Sequence, residues 1–266
     1  MRLVTIALIA WLAVAAGAAA AGSGGNVKIA VSAAPWVLIG TNLGITGAVT
    51  PHPAGLQLTL QRWYGTGWLP AGTAAPRADG TFAFHVRTTK PGASKYRVVS
   101  SKETGFSGTS ADVPVKVLHW SYLASIEPFQ YVNPIVGDLS LEPITAGGVH
   151  YEHGISLDPG CYNEYDGTAW VDFPLQRQYE MFTAAMALGG YATNGSTATY
   201  DIVGGDGKKL ASGSLAYGGA PQNVRVSVSG EYRLRLVITV PDPTHSAGCG
   251  SQYTQVVFGD AQLLGP

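Results

Sequence analysis

Reactive side chains gather most densely at residues 147–155, which read Gly147-Gly148-Val149-His150-Tyr151-Glu152-His153-Gly154-Ile155. Two imidazoles, a carboxylate and a phenol at consecutive positions could serve a metal site, acid–base chemistry or a polar binding surface. The flanking glycines bracket too little chain for a helix that would bring His150 and His153 together. The double glycine opens a turn, so the stretch is read as a short strand. Alternation then places His150 and Glu152 on one face and Tyr151 and His153 on the other, which separates the apparent histidine pair.

Other catalytic patterns are missing from the sequence. His52, His85, His119 and His245 add no H-E-x-x-H or comparable ligand set. Gly105-Phe106-Ser107-Gly108 stops one residue short of a G-x-S-x-G nucleophile elbow. The 17 Asp and Glu could supply a glycosidase pair, but no spacing selects two of them. A non-catalytic protein is therefore expected.

The elements that must hold these side chains are strands. Thirty-five glycines, 16 prolines and 13 tyrosines, with only 12% charged residues, are the composition of many short strands joined by tight turns. Sixteen Lys and Arg against 17 Asp and Glu give a formal charge of −1 with no run of either sign, which gives no support to capture of nucleic acid or of an anionic membrane. Between 27 and 117, strands are expected at 27–33, 42–49, 56–63, 68–74, 80–87, 95–100 and 113–118, seven in all, as in a β-sandwich. Within 56–63 the leucines alternate with Gln57, Thr59 and Gln61, the period of a half-buried strand. Trp63, Tyr64 and Trp68 surround one hairpin turn. Such rings can stack on sugars, but a cross-strand aromatic pair worth at most about 1 kcal/mol accounts for them. The pattern of Gly47 and Val49, Leu60-Gln61-Arg62, Gly67-Trp68, Asp79-Gly80-Thr81-Phe82 and Tyr96-Arg97-Val98 resembles bacterial immunoglobulin-like modules, which implies a spacer or presentation domain at 27–117.

After 147–155, strands are expected at 167–173, 179–188, 197–203, 208–214, 222–228, 232–240 and 255–262, with a hairpin at Gly205-Asp206-Gly207. In 232–240, Tyr232, Leu234, Leu236 and Ile238 share one face. Arg233 and Arg235 take the other, and with Arg225 they are read as the solvated face of an antiparallel sheet.

The order of these pieces carries a resemblance. Ser121-Tyr122-Leu123 opens a strand, and Gly148, Tyr151, His153, Gly154 and Ile155 form a core motif. Phe182, Ala184, Tyr200-Asp201-Ile202, Asp206-Gly207 and 232–237 come next, and Gly259-Asp260-Ala261-Gln262-Leu263 closes the domain. Residues 119–264 thereby resemble the NPCBM family of carbohydrate-binding modules, similar to carbohydrate-binding module family 51. The resemblance implies a jelly-roll-like sandwich, so the chain as a whole is expected to be all-β with two sandwich domains. It also implies a sugar site of aromatic and planar polar groups, for which Tyr151, His153, Tyr162, Trp170 and Asp260 are the candidates, and galactose-containing glycans as ligands. His153 is open to a second reading, as a buried ring bonded to a loop carbonyl, and Asp260 as an anchor of the last strand. Family members can hold a structural calcium, for which Asp158, Asp166 and Asp172 are conceivable ligands. The chain departs from the family where a second histidine is common, reading Ser156-Leu157-Asp158, and where an aspartate and a tryptophan are common, reading Val256-Val257-Phe258.

Residues 1–22, with Arg2, an apolar run from Leu3 and an alanine-rich exit, are expected to be a cleaved secretory signal, which implies an extracellular protein. In that compartment Cys161 and Cys249, both in glycine-containing loops, are expected to form a disulfide. Three functions are open: a secreted binder of neutral or cell-wall glycans, a structural or adhesive protein without a sugar site, or a hydrolase or hydrolase accessory. No cofactor, nucleic acid or membrane partner is expected.

Overall fold

The computed structural model describes residues 25–100, 105–132, 139–159, 167–190, 192, 194–240 and 254–266. The signal segment 1–22, Cys161, Tyr162, Asp166 and Cys249 lie outside the described residues. Two compact units divide at Val117/Leu118. No helix among the described residues is long and apolar enough to cross a membrane.

The first unit is a sandwich of two antiparallel sheets. One holds β1 (Lys28–Ala33), β3 (Asn42–Thr50) and β6 (Thr81–Arg87) in the order β1-β3-β6. The other runs β5-β4-β7-β8 and contains β4 (Leu58–Trp63), β5 (Trp68–Ala74), β7 (Gly92–Ser100) and the first half of β8 (Val113–Tyr122), beside which lies the short β2 (Trp36–Leu38). Leu43 and Ile45 of β3, Leu58 and Leu60 of β4, Phe82 and Phe84 of β6, and Tyr96 and Val98 of β7 fill the space between. The alternation of the leucines sets which face of β4 turns inward, and burying each such side chain contributes about 1.5–3 kcal/mol. Trp63 stands directly opposite Trp68, ring centroids 5.5 Å apart, as a cross-strand pair.

The second unit is a larger sandwich. Its five-stranded sheet has the order β16-β15-β18-β13-β9, from β9 (Gln130–Val132), β13 (Thr168–Pro174), β15 (Thr197–Val203), β16 (Lys209–Ala216) and β18 (Arg233–Thr239). Facing it are β14 (Met181–Leu188), β17 (Gln222–Ser227) and β19 (Val256–Gly265) in the order β17-β14-β19, with the second half of β8 and β12 (Ile155–Leu157) also paired to β19. Val171 and Phe173, Leu234 and Leu236, Phe182 and Met186, and Phe258 and Leu263 interlock between the sheets. Phe258 is fully buried opposite Ile155, and Val256 and Phe258 belong to the core while Val257 is buried on the other face of the strand. Tyr232 does not join Leu234 and Leu236 inside; it precedes β18 and is exposed.

One irregularity reshapes the closing strand. Strict alternation from Phe258 would turn Asp260 and Gln262 into the core. Instead the pairing of β14 with β19 shifts between Thr183↔Gln262 and Ala185↔Gly259, so β19 carries one extra residue. Asp260 adopts φ 44° at this bulge, and Ala261 and Leu263 take the buried positions in its place.

Candidate functional site

The motif at 147–155 forms a hairpin of β10 (Ile144–Ala146) and β11 (Val149–Tyr151), with Ile144 opposite Tyr151 and Ala146 opposite Val149. Gly147 and Gly148 make its two-residue turn at φ 56° and 77°, a conformation that β-branched or bulky residues resist. Gly147 also lies against Pro221 and Ala187, and a Cβ there would come within 3.0–3.2 Å of them, tighter than ordinary contact. The hairpin covers the outer face of β14 and β19, where Tyr151, Ala146, Ala187 and Val257 form a small core of their own.

Tyr151 is the centre of that cluster and is only 5% exposed. Its ring lies flat on Gly259, so close that any Cβ there would collide with it. Burial, and secondarily the Asp260 carboxylate, raise its phenol above the ordinary value. Tyr151 therefore locks the hairpin to the sheet, with little of its ring left at the surface.

β11 ends at Tyr151, so His150 lies in the strand and His153 in the bend after it, and the two imidazoles meet different partners. His150 is exposed, 3.6 Å from Glu152 Oε1, with Nδ1 3.2 Å from Thr145 Oγ1. His153 is half-buried, its ring stacked on Tyr122 at a centroid distance of 3.7 Å and an interplanar angle of 34°. Its backbone N–H donates to Asp260 Oδ1 at 3.1 Å. The bulge turns Asp260 outward to accept this bond, and Asp260 thus anchors the segment after the hairpin to the last strand.

Trp170 is not part of this group. Ala169, Val171 and Phe173 of β13 face the core, so Trp170 and Asp172 face outward from the opposite sheet. Asp172 is nevertheless fully buried there. Arg235 donates to it through Nε and Nη2, both at 2.7 Å, and Arg233 through Nη1 at 3.2 Å. Hydrogen bonding to Asp172 raises the Arg235 guanidinium further above its ordinary value. The guanidinium also lies 4.0 Å from the Trp170 ring centroid, covering one face of the indole. Arg233 and Arg235 are thus not a freely solvated face; they are the counter-ions of a buried carboxylate. Asp172 does not fit a calcium ion, because both of its oxygens already meet cations. Among the described residues no three His, Cys, Asp or Glu side chains gather as a metal site would require.

A groove opens instead at the turn end of the hairpin. About 330 Å³ in volume, it is lined by 145–148, by Leu188, Gly189, Gly190 and Ala192 beyond β14, and by 216–219 between β16 and β17. Gly147 N–H donates to Leu188 O at 3.2 Å, Gly189 N–H to Gln255 O at 2.8 Å, and Tyr217 N–H to Ser196 O at 2.9 Å, which hold the walls. The ends of β12, β13, β18 and β19 that flank 160–166 and 241–253 lie at this same end of the sandwich. Tyr217 is 52% exposed, and glycines at 147–148, 189–190 and 218–219 line the groove around it without side chains to close it. An open ring beside Thr145 can stack on a pyranose, and among the described residues no carboxylate, imidazole or thiol lines the groove. Tyr217 was not among the sequence candidates. Its signal was an aromatic residue followed by Gly218-Gly219 in the gap between two expected strands.

A family model described as the NPCBM/NEW2 domain matches residues 119–264. Among solved structures, the CBM51-2 and INT domains from Clostridium perfringens ZmpB are 12% identical, covering 66% of this chain and 38% of that one at a TM-score of 0.44. The CBM51 from Clostridium perfringens GH95, in complex with methyl-galactose, is 19% identical, covering 55% of this chain and 99% of that one at a TM-score of 0.43. The M60 catalytic domain with the CBM51-1 and CBM51-2 domains from Clostridium perfringens ZmpB is 14% identical, covering 91% of this chain and 32% of that one at a TM-score of 0.42. No curated protein sequence matches the chain.

Proposed function

We propose that this chain, which belongs to the NPCBM/NEW2 domain family, is a secreted, non-catalytic carbohydrate-binding protein whose second unit takes a neutral glycan in the groove beside the core-motif hairpin. The observation that carries the reading is the exposed Tyr217 ring in a glycine-walled groove that the family motif itself helps to build. The groove offers an exposed aromatic face for stacking, and its described lining is glycines, alanines, Thr145, Leu188 and Tyr217, a surface suited to binding. Galactose-containing glycans are the first to test, because the resemblance to carbohydrate-binding module family 51 points to them.

Export through the signal-like segment 1–22 would place the chain where glycans of a cell surface or wall are reachable. In that compartment Cys161 and Cys249 close one intramolecular disulfide. A non-reduced proteolytic digest should yield the two cysteine peptides linked, and two free thiols would contradict it. A glycan array probed with the full chain tests the function: selective signal on galactosylated glycans supports it, and a blank array favours the structural or adhesive alternative.

A further inference from the structure

The near-zero formal charge conceals two opposed halves. Residues 25–117 hold nine lysines and arginines against three acids, Asp79, Glu103 and Asp112. Residues 118–266 hold six against fourteen, and Arg2 completes the 16 against 17. Residues 25–117 are thus formally +6 and residues 118–266 −8. The overall charge of −1 therefore does not describe the attraction that the first unit alone exerts on a polyanion.

On the outer face of β5, β4 and β7 these cations meet aromatic rings. Trp63, 38% exposed, pairs with Trp68 across the hairpin; the Tyr64 ring at the turn lies with Arg62 instead, 5.3 Å from its guanidinium. Arg97 reaches across from β7. Its Nε donates to Gln61 Oε1 at 2.8 Å, and its guanidinium lies 4.3 Å from the Trp68 ring centroid. One edge of the guanidinium is fixed in this way, and its Nη edge has no partner among the described residues. Lys95, two residues earlier on the same face, is exposed and unpaired among them. Of the unit's two described acids, Asp79 accepts the N–H and O–H of Thr81 in the turn before β6, and Asp112 precedes β8 without an ion pair to Arg97 or Lys95.

We propose that this face is a second glycan-binding surface, selective for a carboxylated polysaccharide. An open sheet face suits an extended polymer. The Trp63 ring can pack on the apolar side of a sugar, while the free Nη edge of Arg97 matches the plane and spacing of a carboxylate, and Lys95 adds attraction along the chain. Gln61 and Trp68 pre-position the guanidinium, so little of its freedom is lost on binding. The preference for a glycan over a nucleic acid rests on the carbohydrate-binding reading of the chain. The surface itself lies outside residues 119–264, so the two sites fail or succeed separately.

The test is affinity electrophoresis of the full chain through gels containing alginate, a carboxylated polymer without galactose, neutral galactan, or poly(dT). Alginate should retard the protein at about 50 mM salt and much less at about 300 mM. Lys95→Gln with Arg97→Gln should weaken alginate binding by about tenfold or more, while a circular-dichroism melt and galactan retardation stay as in the parent. Lys95→Gln alone, at an exposed position, should give a smaller loss in the same direction. The inference is overturned if the double variant keeps its alginate affinity, if poly(dT) retards as strongly at matched salt, or if sedimentation traces the low-salt retardation to self-association. Galactan binding lost with alginate binding intact would instead refute the function assigned to the second unit.

Discussion

The Asp260 carboxylate accepts the backbone N–H of His153 at 3.1 Å, joining points 107 residues apart in the chain. The bond exists because a bulge turns Asp260 out of the core at φ 44°, a conformation that Asn and Asp tolerate better than most side chains. Asp260→Asn keeps an acceptor and the backbone preference and should cost under about 1 kcal/mol. Asp260→Ala loses both and should cost about 1.5–3 kcal/mol in urea unfolding. Equal stability of the two variants would contradict an anchoring role.

Gly259 is held at its identity by the Tyr151 ring, which occupies the space that a Cβ would need. Gly259→Ala should destabilise the second unit by about 1–3 kcal/mol and lift the hairpin from the sheet, read as loss of amide-exchange protection at 144–151. Unchanged protection would show that Tyr151 does not clamp the hairpin.

Burial raises the phenols of Tyr96, Tyr151, Tyr179 and Tyr200 above the ordinary value near 10. A tyrosine whose folded pKa exceeds its unfolded one contributes stability that is fully present below about pH 10 and is lost as pH rises through the folded value. Above pH 10 the unfolded chain releases these protons first, so unfolding becomes more favourable by up to about 1.4 kcal/mol per pH unit for each phenol still protonated when folded. Urea midpoints should be flat from pH 8 to about 10 as far as these groups are concerned and fall above it, together with an absorbance change for ionised tyrosine. A flat midpoint through that window would contradict their burial.

The periodic parts of the fold were legible before the structure. Leu58 and Leu60 in β4, Leu234 and Leu236 in β18, and the Gly205-Asp206-Gly207 turn all sit where alternation and turn chemistry put them. Strands of three residues, such as β2, β9 and β12, span too little chain for a period to show. The site was legible only in part. Alternation gives no information on where a strand ends, and β11 stops at Tyr151, short of His153; nor does it say which outer face of a sandwich a strand will occupy, which is why the sequence places Trp170 with residues of the opposite sheet. The bulge at Asp260 was written in the spacing of Phe258, Ala261 and Leu263, three residues and then two, a break that only pairing with β14 makes readable. Whole-chain charge hid the opposed units because their excesses nearly cancel.

The central claim is that the groove carrying Tyr217 is the sugar site, and titration calorimetry of the full chain with a methyl galactoside tests it most directly. A shallow site with few contacts should give a Kd of about 10 μM to 1 mM for the parent protein. Tyr217→Ala should abolish the heat with the melting curve unchanged, since the ring is exposed, whereas Trp170→Ala should leave the affinity as it was. No heat at millimolar ligand across a range of mono- and oligosaccharides, or binding that survives Tyr217→Ala and disappears with Trp170→Ala, would contradict the account.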